Sequence, residues 1–268
     1  MSANFSVDRG RLLNLLSVIG AKSKETTAEP VLEISPKGIL GYDKATAQCL
    51  SYIFAHPTFF SSEIVGDVKM IATPSLVQGL KQLSSGVVKF SIRVIAENMK
   101  EVCIEEMHTT GTNRDLYHEP IVIPTSEKIG FPRGISKFSD GVLEIIMQHE
   151  RVCIADVDAL RLQSLPDNVE RAAMVWRPDS TLFITLRNDS GGVLEKTIPI
   201  EYFSGASPKE DVRIDLSPEF FKALVGTMLG KVRICVHRAP SGNMSGVAIT
   251  SSSSDYDMGH TLAAMSPL

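Results

Sequence analysis

The sequence predicts an α+β protein made of two tandem, duplicated domains, each an antiparallel sheet with two helices on one side. Three observations predict it. Asp67–Ile92 and Asp211–Val236 align without a gap at a constant offset of 144 residues. Asp67 matches Asp211, Val68 Val212, Pro74 Pro218, Leu80 Leu224, Gly86 Gly230 and Val88 Val232, while Lys69/Arg213, Thr73/Ser217 and Lys89/Arg233 keep the chemistry. The match resumes further on, where Asn98-Met99 with Val102 and Ile104 corresponds to Asn243-Met244 with Val247 and Ile249 at an offset of 145. Whole domains are therefore repeated, not one motif. Few segments carry helical periodicity and many alternate, the pattern of helices gathered on one side of antiparallel sheet.

Taken in order, Asn4–Val7 reads as a strand running into a helix capped by Asp8, with Leu12, Leu15, Leu16 and Ile19 spaced as one apolar face. Gly10, Asn14, Ser17 and Ala21 lie opposite, with Arg11 at the edge, and Gly20 with the polar run Lys22–Pro30 ends the helix. Val31–Ser35 and Ile39–Asp43 are strands joined by the turn former Pro36-Lys37-Gly38, and Cys49–Ala55 continues the sheet. Each copy of the repeat then reads as a short strand, a Thr or Ser N-cap before Pro at the first helical position, a helix, a Gly stop and an alternating strand. Val102–Glu106 and Leu116–Ile123 complete the first half. In the second, Arg151–Ile154 is expected as a strand, Asp156–Leu165 as a helix, and Ala172–Trp176 and Thr181–Arg187 as strands about the turn Arg177-Pro178-Asp179-Ser180.

These elements place domain one at residues 1–124 and domain two at 142–268, joined by a Pro-, Gly- and Ser-rich connector at 125–141. A net charge of −4 excludes a chain that is basic all over but not one with a local basic surface. Cys49, Cys103, Cys153 and Cys235 lie tens of residues apart with no Cys-x-x-Cys pair, which argues against zinc and for reduced thiols. No metal or cofactor is expected. Without a signal-like N-terminus or an apolar run near membrane-spanning length, the expected setting is soluble, intracellular and cytoplasmic. Phosphate-loop, nucleophile-elbow and zinc-protease motifs do not occur, and Glu105-Glu106 points its two carboxylates to opposite faces of a strand. The chain is expected not to be an enzyme.

Two tandem domains of this pattern, a Pro/Gly connector, and Asp257-Met258-Gly259-His260 followed by Leu262-Ala263-Ala264-Met265-Ser266-Pro267 resemble the DNA sliding clamps of the PCNA type. The likeness in architecture covers the whole chain. At residue level it rests on the last strand and the strand-helix segments, and its distance from cellular clamps points to a viral or phage member. The resemblance implies three subunits closed head to tail around duplex DNA, helices lining the hole, and partnership with a DNA polymerase and a clamp loader. It also implies edge strands for ring closure, near Leu116–Val122 in domain one and Val193–Ile200 in domain two, with Pro120 and Pro199 restricting the pairing.

Helical phase puts Gln78, Lys81, Gln82 and Ser85 on the polar face of the second helix and Lys222 at the matching place on the fourth; Arg11, Lys22, Lys24, Arg161 and Lys209 are placed on or beside the other helices. These seven cations are the candidate DNA contacts, sequence-blind and salt-sensitive, although any one of them could equally be part of a solvated helix face. Ile129, Phe131 and Pro132 are apolar residues in a polar connector. With Ala264, Met265 and Pro267 of the tail, and more remotely Tyr42 and Ala45, they form the client-peptide groove that the resemblance implies. Two other readings remain open at this point: a processivity factor with the same paired domains that stays monomeric, and an enzyme with an active site between the domains.

Overall fold

The computed structural model describes residues 2–19, 30–43, 49–84, 86–96, 99–107, 116–122, 135–139, 142–145, 150–164, 171–187, 191–226, 228, 230–254 and 256–265. The protein is α+β, mostly antiparallel sheet with few helices. In the first half β1 (Ser2–Asp8) runs into α1 (Arg9–Val18), followed by β2 (Val31–Ser35), β3 (Gly38–Asp43), β4 (Cys49–Ala55), β5 (Val65–Gly66), β6 (Val68–Ile71), α2 (Pro74–Gln82), β7 (Val87–Ala96), β8 (Met99–Glu106) and β9 (Leu116–Val122). A hairpin of β10 (Ile135–Ser139) and β11 (Val142–Ile145) follows. The second half contains β12 (Glu150–Asp158), α3 (Ala159–Gln163), β13 (Arg171–Arg177), β14 (Thr181–Arg187), β15 (Val193–Pro199), β16 (Glu201–Tyr202), β17 (Val212–Leu216), α4 (Pro218–Val225), β18 (Lys231–Arg238), β19 (Met244–Ser252) and β20 (Tyr256–Ala263).

The strand order shows the repetition directly. One sheet runs β5-β1-β7-β8-β9, and the same succession reappears as β16-β12-β18-β19-β20; likewise β4-β3-β2-β6 reappears as β15-β14-β13-β17. Two of these four sets are fused, because β20 pairs antiparallel with β4 from Tyr256↔Ala55 to Leu262↔Cys49, making one nine-stranded sheet across both halves. α1 packs against α2, and α3 against α4. In the first half Phe5 and Phe90 of one sheet, Leu32, Ile34, Ile39 and Met70 of the other, and Leu12, Leu16, Leu76 and Leu80 of the helices converge on one interior. The expected apolar face of α1 is the buried one, while Gly10, Asn14 and Ser17 are exposed.

Local chemistry explains where the helices begin. The Asp8 carboxylate accepts the Arg11 N–H at 2.8 Å, Thr73 Oγ1 accepts the Leu76 N–H at 3.1 Å ahead of Pro74, and Asp158 accepts the Leu160 N–H at 3.0 Å. Such caps contribute about 0.5–2 kcal/mol each. Helix ends are tied across the pairs by residues far away in sequence. Arg9 donates to the carbonyls of Leu80 and Leu83 at the end of α2, and Gln163 donates to those of Val225 (3.0 Å) and Met228 (2.7 Å) at the end of α4. Glu106 is buried and accepts from the N–H and hydroxyl of Ser84, whereas Glu105 is only half-buried, as strand alternation requires.

One sequence-based expectation needs correction. The helix expected at Asp156–Leu165 is only Ala159–Gln163, because β12 continues to Asp158. Cys153, Ala155 and Val157 face the core at every second residue, and the ladder to β18 runs as far as Asp158↔Lys231. The last part of the connector expected at 125–141 contributes β10 to the hairpin with β11.

Candidate functional site

The helices concentrate positive charge. Arg9, Arg11, Lys81, Arg161 and Lys222 lie on the four helices against a single carboxylate, Glu219, in a chain where Asp and Glu outnumber Lys and Arg by 31 to 27. Lys81 is exposed beside exposed Gln78 and Gln82 near the end of α2. Arg161 is exposed on α3, and its carbonyl accepts a hydrogen bond from Lys196 Nζ of β15 at 3.0 Å. Lys222 is half-buried in the last turn of α4. A cation in a last turn also sits where the helix dipole favours it, so Lys81, Arg161 and Lys222 stabilise their own helices as well as being placed to meet a polyanion.

The other expected cations are placed differently. The Arg11 guanidinium lies 4.8 Å over the ring of buried Phe59, so its charge is partly spent on a cation–π contact with the body of the first half. Lys209 is exposed in the loop between β16 and β17, at the start of β17, whereas α4 begins beyond its far end. Lys22 and Lys24 lie outside the described residues. Arg9, which the sequence reading passed over, serves as the tie to α2, and Lys196 joins α3 from a strand distant in sequence.

Of the expected groove, only the tail is placed. The Ala264 N–H donates to Ser245 O at 2.9 Å and the Met265 N–H to Asp215 O at 2.8 Å, which pins the chain after β20 against β19 and β17. Both residues are half-buried. Ile129, Phe131, Pro132, Ala45 and Pro267 lie outside the described residues, and Tyr42 is placed only as part of β3.

The strands expected as edges lie at sheet ends. β9 ends the sheet that begins with β5, and β15 ends the four-stranded sheet. Val193 and Leu194 on β15 are 55% and 49% exposed, large apolar side chains on an edge with no partner strand among the described residues.

Burial holds three titratable side chains of the interior neutral, His260, Cys153 and Cys235. His260 Nδ1 lies 2.8 Å from Ser51 Oγ on the neighbouring strand, and burial depresses the imidazole from 6.5 to about 3. This Ser–His pair is sealed, with both residues buried in the sheet that joins the halves. Burial pushes the Cys153 thiol up to about 12 and Cys235 to about 11, which keeps both protonated and poor as nucleophiles or ligands at neutral pH. Among the described residues no three His, Cys, Asp or Glu side chains cluster to hold a metal ion. No helix among them is long and apolar enough to cross a membrane.

Compared with known proteins, the chain matches no family model and no curated protein.

Proposed function

We propose that the chain is one subunit of a homotrimeric sliding clamp, a ring that encircles duplex DNA and tethers a DNA polymerase to its template without chemistry of its own. The observation that carries this reading is a mismatch between two equivalent junctions. Within the chain β20 of one half pairs with β4 of the other. Their counterparts in the repeated topology, β9 and β15, have no partner strand on their outer sides among the described residues. A subunit that joins its halves edge to edge, and presents the same two kinds of edge at its ends, is complementary to further copies of itself head to tail. A heterologous contact of this kind makes a closed ring where its rotation closes.

Charge supports duplex DNA as what the ring encloses. Packed helix pairs carrying a sparse set of cations and almost no carboxylate would meet phosphates weakly and without reading sequence. Weak contact multiplied by three is compatible with sliding. The connector and the tail pinned at Ala264-Met265 are the proposed dock for polymerase and other client peptides, and a clamp loader is the proposed opener of the ring.

Retention on DNA of two topologies tests the proposal. A ring loaded on nicked circular DNA should remain through a high-salt wash and be lost when the circle is linearised, since only topology holds it. Salt-labile binding that is equal on both forms would support the monomeric processivity factor instead.

A further inference from the structure

At one corner the two halves of the repeat close in different ways. Position is carried from one half to the other by the ladders themselves. Asp8 pairs with Val87 and Asp158 with Lys231, and Val88 matches Val232, so β1 corresponds to β12 and Lys231 stands where the first half has Val87. β5 joins β1 at Asn4↔Val65; β16 joins β12 at Ala155↔Tyr202, and beside that pair the Phe203 N–H donates to Ile154 O at 2.9 Å. Asn4 corresponds to Ile154, so Val65 corresponds to Phe203, Ile64 to Tyr202 and Glu63 to Glu201. Val68 pairs with Ile34 and Val212 with Trp176, so Ser35, which opens the β2–β3 turn, corresponds to Arg177, which opens the β13–β14 turn.

In the second half the chain closes this corner with its own side chains. Tyr202 packs against the core, and its hydroxyl donates to Arg177 O at 2.9 Å, a carbonyl that also accepts the Ser180 N–H at 3.2 Å. Next to it Glu201 accepts from Lys231 Nζ at 2.6 Å. In the first half position 64 is Ile, which has neither ring nor hydroxyl, and position 87 is Val, which has no charge. Between the β2–β3 turn and the segment ahead of β5 lies a surface pocket of about 520 Å³, lined by Pro36, Pro57, Phe60, Ile64 and the run Ser61–Glu63. Ligand sites occupy roughly 300–1,000 Å³. Ala55 corresponds to Ile198 through the same ladders, and eight positions separate Ala55 from Glu63 where three separate Ile198 from Glu201. Pro57 and Phe60 thus come from a longer stretch that is special to the first half. Phe60 is half-buried and braced by the rings of Phe5 at 5.5 Å and Phe59 at 5.4 Å. Glu63 is exposed, and no cation pairs with it among the described residues.

We infer that this pocket is a docking site for a partner protein and takes a tyrosine side chain with a lysine or arginine beside it. The partner's ring packs among Pro36, Pro57 and Phe60, its hydroxyl donates to Ser35 O, and its cation meets Glu63. These are the contacts that Tyr202 and Lys231 make within the second half, supplied here from outside the chain. An aromatic anchor in a pocket, with a charge at the rim, is a common division of labour in recognition. The inference goes beyond the ring reading and does not depend on it, since every residue of the pocket belongs to one half of one chain and none to the connector or the tail.

Saturation-transfer NMR on the full chain, with N-acetyl-Tyr-Lys-amide as the probe, tests the inference. Binding should saturate at millimolar probe, with the strongest transfer to the tyrosine ring, and N-acetyl-Leu-Lys-amide should bind far more weakly. Ile64→Tyr supplies the ring from within, as Tyr202 does, and should abolish binding; a urea melt read by Trp176 fluorescence shows that this variant folds. Glu63→Lys alters an exposed residue and should weaken the Tyr-Lys probe by about two- to fivefold, as for an exposed ion pair, and turn the preference toward N-acetyl-Tyr-Glu-amide. No saturable binding to the wild type, equal binding of the leucine probe, or unchanged binding in both variants would each overturn the inference. A monomeric mass would refute the ring and leave this result standing.

Discussion

His260 should make this protein acid-labile by a calculable amount. Its imidazole is fully enclosed, and burial depresses its pKa from 6.5 to about 3. The folded chain therefore holds the ring neutral while the unfolded chain takes up a proton below about pH 6.5. Because the unfolded state binds more protons across that window, stability present above pH 6.5 is lost as pH falls toward 3. At about 1.4 kcal/mol for each pH unit within that window, this one residue removes about 2 kcal/mol between pH 7 and pH 5, and about 5 kcal/mol below pH 3. Urea denaturation followed by the fluorescence of buried Trp176, at one protein concentration and at both pH values, reads the loss. His260→Asn removes the titrating group, so its stability should fall by about 2 kcal/mol less than that of the wild type over the same interval. Equal losses in the two proteins would show that His260 is protonated in the folded state or is reached by water, and the account of a sealed Ser51–His260 junction would be wrong.

Three further outcomes follow from the structure. Lys81→Glu combined with Lys222→Glu should weaken retention on DNA and flatten its dependence on salt with subunit mass unchanged, at a cost of about 0.3–1 kcal/mol in stability for each last-turn cation lost; unaltered polymerase processivity would mean that these helices do not face DNA. Thr73→Ala, which removes the cap received by the Leu76 N–H, should cost about 1 kcal/mol in a urea melt, and no measurable change would show that Pro74 alone starts α2. Deleting Ala264–Leu268, or changing Ile129 and Phe131 to Ser, should abolish calorimetric binding of a C-terminal polymerase peptide without opening the ring, whereas wild-type affinity in both would place the client dock elsewhere.

Much of the fold is legible in the sequence because its signals are local. The turn at Pro36-Lys37, the caps at Asp8 and Thr73, and the strand at Cys49–Ala55 each depend on residues within a few positions of one another. The second half's first helix is expected three residues too early, at Asp156, because a strand that runs straight into a helix leaves no loop to mark the boundary. Yet a local signal was present, in the alternation Cys153, Ala155, Val157 and in Asp158 standing where Asp8 stands at the end of the first strand. The ties that hold the helix pairs are of another kind. Arg9 reaches carbonyls more than seventy residues away and Gln163 more than sixty, and no pattern within a window of sequence encodes such partners. The candidate site divides in the same way. Helical phase suffices to place Lys81 and Lys222 on their helices, but that Arg11 rests on Phe59 depends on how distant segments pack.

The central claim is that equivalent edges without a partner strand among the described residues of one chain are paired between chains. Light scattering on the eluting peak of a sizing column, at low salt and at tens of micromolar chain, measures this most directly. The account predicts a mass of about three times 29.2 kDa that holds as concentration falls toward the micromolar range. A mass of 29.2 kDa throughout would contradict it.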